Sequence, residues 1–298
     1  MGEHENVPAI PAWRGWIPLL VLPAAVVLLT PADWPKWLFM WALGWTVFAG
    51  CKWLTWRRTP APNASLWRHA GYVVAWPGLD AKAFLRGEPL PAAMRPGAAE
   101  WLAALAKLAL GAVILWGVVR LLPDDQVLLR GWTGMVGIAM ALHFGVFHIL
   151  SCAWRSVGID ARPLMNAPVF AQGVSEFWGR RWNTAFRDLT HRFLFRPLTA
   201  RLGPRGALIV GFIFSGLIHE LVISVPAADD FGGPTLFFVL QIPALLFERS
   251  RIGKKIGLGR GGCGWLFAAL FIVLPAGLLF HRPFVVEVVL PFLDAIGA

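Results

Sequence analysis

Residues 207–225 read ALIVGFIFSGLIHELVISV, an apolar run interrupted by His219 and Glu220. A helix that enters a bilayer near Ala207 carries His219 about 18 Å along its axis, at ~1.5 Å per residue. That is close to the middle of a ~30 Å hydrocarbon core. Ionisable groups at that depth are costly and mark functional candidates. Ser215, Gly216 and Gly211 share the face of His219 at i−4, i−3 and i−8, while Glu220 points elsewhere. Small residues beside an imidazole leave room for a neighbouring helix or for a substrate. A histidine packed and hydrogen-bonded between helices is the plainer alternative.

Further apolar stretches lie at residues 16–29, 37–54, 101–122, 132–152, 234–247 and 264–280. With 207–225 they predict an all-α, polytopic integral membrane helical bundle of about seven transmembrane helices, one membrane domain over residues 1–298. The first stretch holds Pro18 and Pro23, and the opening before it carries Glu3 and Glu5 with no basic flank, so it reads as a first span rather than a signal peptide. The stretch at 234–247 is short and contains Pro243, which predicts a broken or re-entrant segment.

The composition agrees. Of 298 residues, 57% are hydrophobic and 15% charged, against roughly 45–50% and about 25% in soluble domains. This excludes a disordered chain and a water-soluble enzyme. The net charge of +10 would suggest nucleic acid in a soluble protein, but here the Lys and Arg residues gather in three loops. These follow the second, fourth and sixth segments, and the intervening loops carry Asp33, Asp124, Asp125, Asp229 and Asp230. Seven spans with a cytoplasmic N-terminus put all three basic loops inside. The expected setting is a multi-pass protein, in the inner (cytoplasmic) membrane if bacterial, with no nucleic-acid partner. Cys51, Cys152 and Cys263 form no CxxC pair and read as reduced, structural thiols.

The loop at 174–195, VSEFWGRRWNTAFRDLTHRFLF, has helical periodicity. Val174, Phe177, Trp178, Trp182, Phe186, Leu189 and Phe193 form one stripe, and Glu176, Arg180, Asn183, Arg187 and His191 the opposite face. Too charged to span, it is expected to lie in the interface with its stripe in acyl chains. Asn183 adds no anchoring there, so it calls for a hydrogen-bonding partner or a substrate. Metal chemistry fails on spacing. His219-Glu220 begins an H-E-x-x-H pattern, yet residue 223 is Ile, and His143 and His148 fall on different helical faces.

Phe177-Trp178-Gly179-Arg180-Arg181-Trp182-Asn183, followed by Ser215-Gly216-Leu217-Ile218-His219-Glu220-Leu221, resembles the membrane-bound O-acyltransferase (MBOAT) superfamily. The nearest branch is that of the wax synthases, which the tail Phe280-His281-Arg282-Pro283-Phe284-Val285 also resembles. The likeness covers about residues 140–285. It implies an MBOAT-like helical bundle with a tunnel open to acyl-CoA from the cytoplasm, His219 as the catalytic residue and Asn183 as its partner. The implied reaction moves a fatty acyl group from acyl-CoA, a co-substrate rather than a bound cofactor, to a fatty or other lipid alcohol at the bilayer. The residues suit it: a desolvated neutral imidazole can act as general base, and the Asn183 amide can hold an oxyanion or orient the thioester. Arg180, Arg181, Arg187 and Trp182 are candidates for substrate binding, as are Ser215, Gly216 and Glu220; Glu220 or Ser215 is also expected to fix the imidazole tautomer. Two rival readings are acylation of a polysaccharide or other polar alcohol, and a proton-coupled transporter using the buried histidine. The loop Trp76-Pro77-Gly78-Leu79-Asp80 carries no assignable chemistry.

Overall fold

The computed structural model describes residues 15–88 and 90–298; the acidic opening at 1–6 lies outside them. Helices and short connections account for the described chain, with no strand. Helix α1 (Ile17–Leu29) packs on α2 (Lys36–Arg57). Short α3 (Leu66–Ala75) and α4 (Ala81–Leu85) follow. Helix α5 (Ala98–Val113) runs on through a π turn, Ile114–Val118. Helix α6 starts at Val127–Ile138 and continues through a π segment, Ala139–Val146, to Phe147–Ser156.

Helix α7 (Val174–Glu176, with the π turn Phe177–Arg181) and α8 (Thr184–Thr190, with the π turn His191–Phe195) lead into α9, Arg196–His219, which ends in a π turn at Glu220–Ser224. Then come α10 (Gly233–Arg249), α11 (Arg251–Lys255), α12 (Gly261–Val273) and α13 (Ala276–Leu279). Helix α14 starts at Arg282–Phe284 and passes through the π turn Val285–Val289 to Leu290–Ala295.

Four stretches are long and apolar enough to cross a membrane: Ala92–Leu121, Val127–Ser156, Thr184–Ala227 and Gly261–Leu279. Their outer faces show leucines such as Leu121 and Leu274, 84% and 76% exposed, which suits a lipid solvent. The remaining three expected spans differ. Helix α2 has 22 residues but is not among the four, helix α1 has 13 residues, and α10 is an unbroken helix of 17 residues that contains Pro243. It is not broken, and Phe237, Phe238, Gln241, Ile242, Ala244, Leu245 and Glu248 are buried along it. Helix α14, which periodicity did not announce, closes one side of the core through Phe284, Val285, Val288 and Leu293.

The loop between α2 and α5 is not a loose connection. Tyr72, Trp76, Leu79, Ala81 and Phe84 are buried in one core with Cys51 of α2 and Leu189 of α8. Lys52, 3% exposed, holds this cap down: its Nζ lies 3.5 Å from the Tyr72 ring centroid and donates to the Gly78 carbonyl. The Trp76–Asp80 segment is thus architecture, built around one buried lysine.

Candidate active site

The predicted helix over 174–195 is two helices. Trp182 is extended and Asn183 takes left-handed angles (φ 39, ψ 63), a conformation that asparagine tolerates better than most residues. The break is braced by the preceding loop. Asn166 donates to the Arg181 carbonyl (2.8 Å) and Thr184 to that of Leu164 (3.0 Å). Asn183 then starts α8 as its N-cap, Oδ1 accepting from the Phe186 N–H at 3.2 Å. That bond fixes the amide's orientation, and its Nδ2 has no hydrogen bond among the described residues. Much of the apolar stripe packs against protein. Val174 and Trp178 pack on α10 and α12, and Leu189 packs in the core under the cap. Phe186 and Phe193 line a small, partly open apolar cleft with Leu19, Cys51, Phe214 and Ile218.

His219 sits at the last α-helical position of α9, where the winding loosens. Its Nδ1 meets the Ser215 carbonyl at 2.7 Å. A carbonyl only accepts, so Nδ1 carries the hydrogen and Nε2 the lone pair. Nε2 has no partner among the described residues. The tautomer is thus set by the backbone of Ser215, whose hydroxyl turns instead to the Gly211 carbonyl (3.0 Å). The imidazole rests on Phe238 of α10, ring centroids 4.6 Å apart.

Phe238 joins the two motifs. Trp178 packs on it at 5.5 Å, and the Trp178 indole N–H donates to Gln241 Oε1 (3.2 Å). Gln241 in turn donates to the Phe271 carbonyl (2.8 Å). Trp182 stacks on Phe177 at 5.6 Å and meets Phe144 of α6 at 6.3 Å. An aromatic wall therefore runs from the π segment of α6 to His219. Phe238 and the fully buried amide of Gln241 escape sequence reasoning. A glutamine amid apolar residues, in a segment read as re-entrant, was the available signal.

The other candidates separate. Arg180 is exposed and has no ion pair among the described residues. Arg181 pairs with Glu176 (2.8 Å) and donates to the Asn166 and Ala167 carbonyls, and Arg187 bonds Asp188 and the Gly179 carbonyl; both brace local structure. A Cβ on Gly216 would stand 2.8 Å from the Thr235 Cα, so the room it leaves is filled by α10. Glu220 Oε1 accepts from the Gly232 and Thr235 N–H groups (3.0 and 2.9 Å), capping α10; it does not touch the His219 imidazole. Outside this region, atoms of Glu100, His148 and Cys152 lie within 4.8 Å of one another. Arg155 pairs with that carboxylate, and Lys107 faces His148 at 3.2 Å, so the cluster's charge is met by protein cations.

Residues 161–240 match the membrane bound O-acyl transferase family. The chain is 31% identical over 140 residues to a long-chain-alcohol O-fatty-acyltransferase of Simmondsia chinensis, covering 43% of this chain and 40% of that protein. It is 28% identical over 143 residues to the probable long-chain-alcohol O-fatty-acyltransferase 9 of Arabidopsis thaliana, covering 44% and 42%. With acyl-CoA–sterol O-acyltransferase 1 of the same plant it shares 30% over 95 residues, 28% of each chain. The chain spans about two fifths of the length of the first two. The matched region resembles the wax-synthase-like branch of the family and holds Asn183, His219, Trp178 and Phe238.

Proposed function

We propose that this chain is a membrane O-acyltransferase of the wax-synthase type, moving a fatty acyl group from acyl-CoA to a long-chain or other lipid alcohol. The observation that carries the reading is the bond from His219 Nδ1–H to the Ser215 carbonyl. It presents an unprotonated Nε2 on a half-buried imidazole, which is the state a general base needs. The alcohol O–H gives its proton to Nε2 as its oxygen attacks the thioester carbon. The tetrahedral oxyanion collapses, the C–S bond breaks, and the CoA thiolate takes the proton back from the imidazolium. The ester and free CoA leave with no net proton change. The Asn183 amide N–H₂, its other end fixed by the cap bond, is the donor proposed for the oxyanion or the thioester.

The acceptor class follows the names of the relatives, which act on long-chain alcohols and a sterol. Arg180, exposed and without an ion pair among the described residues, is the cation proposed for the CoA phosphates, on the reading that its basic loop faces the cytoplasm. The test is ester formation in membranes given labelled palmitoyl-CoA and hexadecanol or a sterol. Wild type should form ester, and His219→Ala at equal protein level should lose about a hundred- to ten-thousandfold. Undiminished ester from His219→Ala overturns the mechanism, and none from wild type with any lipid alcohol overturns the activity.

A further inference from the structure

The basic turn after α10 opens on an acid that faces the other way. Glu248 precedes Arg249, Arg251, Lys254 and Lys255, yet it is 5% exposed and the only buried carboxylate among the described residues. It makes no ion pair among them. Its partners are backbone: Oε2 accepts from the Val174 N–H at 2.5 Å and Oε1 from the Ser175 N–H at 3.2 Å. Arg249 Nε donates instead to Ser175 Oγ at 3.0 Å. A carboxylate taken out of water without a cation is costly, and the free N–H groups and positive dipole end of α7 offset that cost here. Gly173 leaves the room, since a Cβ there would stand 2.8 Å from Glu248 Oε2.

The clamp has a counterpart. Gln241, seven residues and two turns back on the same face of α10, accepts from the Trp178 indole N–H. Helix α7 is therefore fastened to α10 at two points, its start on Glu248 and its middle on Gln241, and runs antiparallel to it. One point lets a short helix swing. Two fix its line, and that line leads through Arg181 to Asn183. The loop at 164–167 shapes the break there, whereas Glu248 and Gln241 tie α7 to the helix that carries Phe238, on which His219 rests. Helix α10 thus takes a carboxylate from the His219 helix at its start, through Glu220, and gives one to the Asn183 helix at its end. We infer that Glu248 is a positioning residue: by fixing the start of α7 on α10, it sets where Asn183 stands relative to His219.

This inference rests on the reading of His219 and Asn183 as the reacting pair, and the experiment separates the two. Full-length protein in lipid nanodiscs is compared as wild type, Glu248→Gln and Glu248→Ala, each also in the Asn183→Asp background. Glutamine keeps the side chain's length but puts an N–H₂ group, which accepts nothing, where one of the two oxygens stood. Hydrogen exchange is read on peptides covering residues 174–181 and 182–190, with α5 peptides as the internal control. The second peptide holds the Phe186 N–H that Asn183 Oδ1 fixes. The expected result is about tenfold faster exchange in both peptides. With palmitoyl-CoA and hexadecanol, kcat should fall about tenfold or more at unchanged palmitoyl-CoA KM. In the Asn183→Asp background the further fall should be less than about twofold, because the group being placed is already gone. Unchanged exchange at 182–190, whether or not 174–181 speeds up, leaves Glu248 a local cap and overturns the inference. An equal fall in kcat in both backgrounds overturns it too. If Glu248→Ala does not fold, Glu248→Gln decides. If wild type makes no ester, the acyl-transfer reading fails, and the 182–190 peptide alone decides whether Glu248 places Asn183.

Discussion

Asn183 does two jobs with one side chain, and substitutions can divide them. Aspartate accepts the Phe186 N–H as well as the amide does and also tolerates left-handed angles, but it lacks the N–H₂ group. Asn183→Asp should therefore keep wild-type expression and thermal stability while ester formation falls about a hundredfold or more; Asn183→Ala should lose both. Equal activity in Asn183→Asp and wild type would leave Asn183 as a cap alone. Trp178 and Gln241 make the complementary case. Gln241→Leu strands the indole N–H in the core, which should cost about 1–3 kcal/mol, read as a lowered Tm in detergent. At this scale His219 and Asn183 stand out in the sequence as candidates, because a polar group in an apolar context is visible in one dimension. Phe238 was not, since one phenylalanine among many acquires meaning only from what it touches.

Helices are where the sequence misled most. Periodicity joined 174–195 into one element because the stripe continues in register across Trp182 and Asn183, and only the loop at 164–167 forces the break. The same loop gives a pH prediction. The Glu176 carboxyl is held below its usual value of 4.5, first by the Gln172 N–H and then by Arg181. A carboxyl depressed in the folded state stabilises above its unfolded value, and that contribution is lost as pH falls through the folded one. The Tm advantage of wild type over Glu176→Gln should thus be present near pH 6 and shrink towards pH 3. Gly216, read as leaving space for a helix or a substrate, marks the contact of α9 with α10. Gly216→Ala should cost about 1–3 kcal/mol through overpacking, measured by thermal unfolding, whereas a substrate contact alone would change KM and leave Tm untouched.

For the molecule as a whole, composition gave the class correctly, and four of the seven expected spans are long and apolar enough to cross a membrane. Helices α1 and α10 are too short for that set, and α14 and the cap around Lys52 are held by contacts between distant segments that no window of sequence contains. The basic faces offer a test at this scale. Arg180 has no ion pair among the described residues while Arg181 is committed to Glu176, so Arg180→Glu should raise the acyl-CoA KM several-fold with kcat unchanged. Added salt should narrow that gap by screening an exposed charge. Arg181→Ala should instead lower Tm. Equal KM for Arg180→Glu and wild type would remove this residue from CoA binding.

Six π segments interrupt the described helices, although such turns make up well under 1% of residues in proteins generally. Each closes its hydrogen bond one residue later than an α turn does, so each holds a residue that the helix can spare. A chain built this way should tolerate the removal of such a residue. Removing one residue from Ala139–Val146 lets α6 rewind as plain α-helix with both ends in place. The same removal from Val127–Ile138 turns everything beyond it by about 100°. A deletion scan along α6, scored by membrane expression, should therefore find its permissive positions inside the π segment.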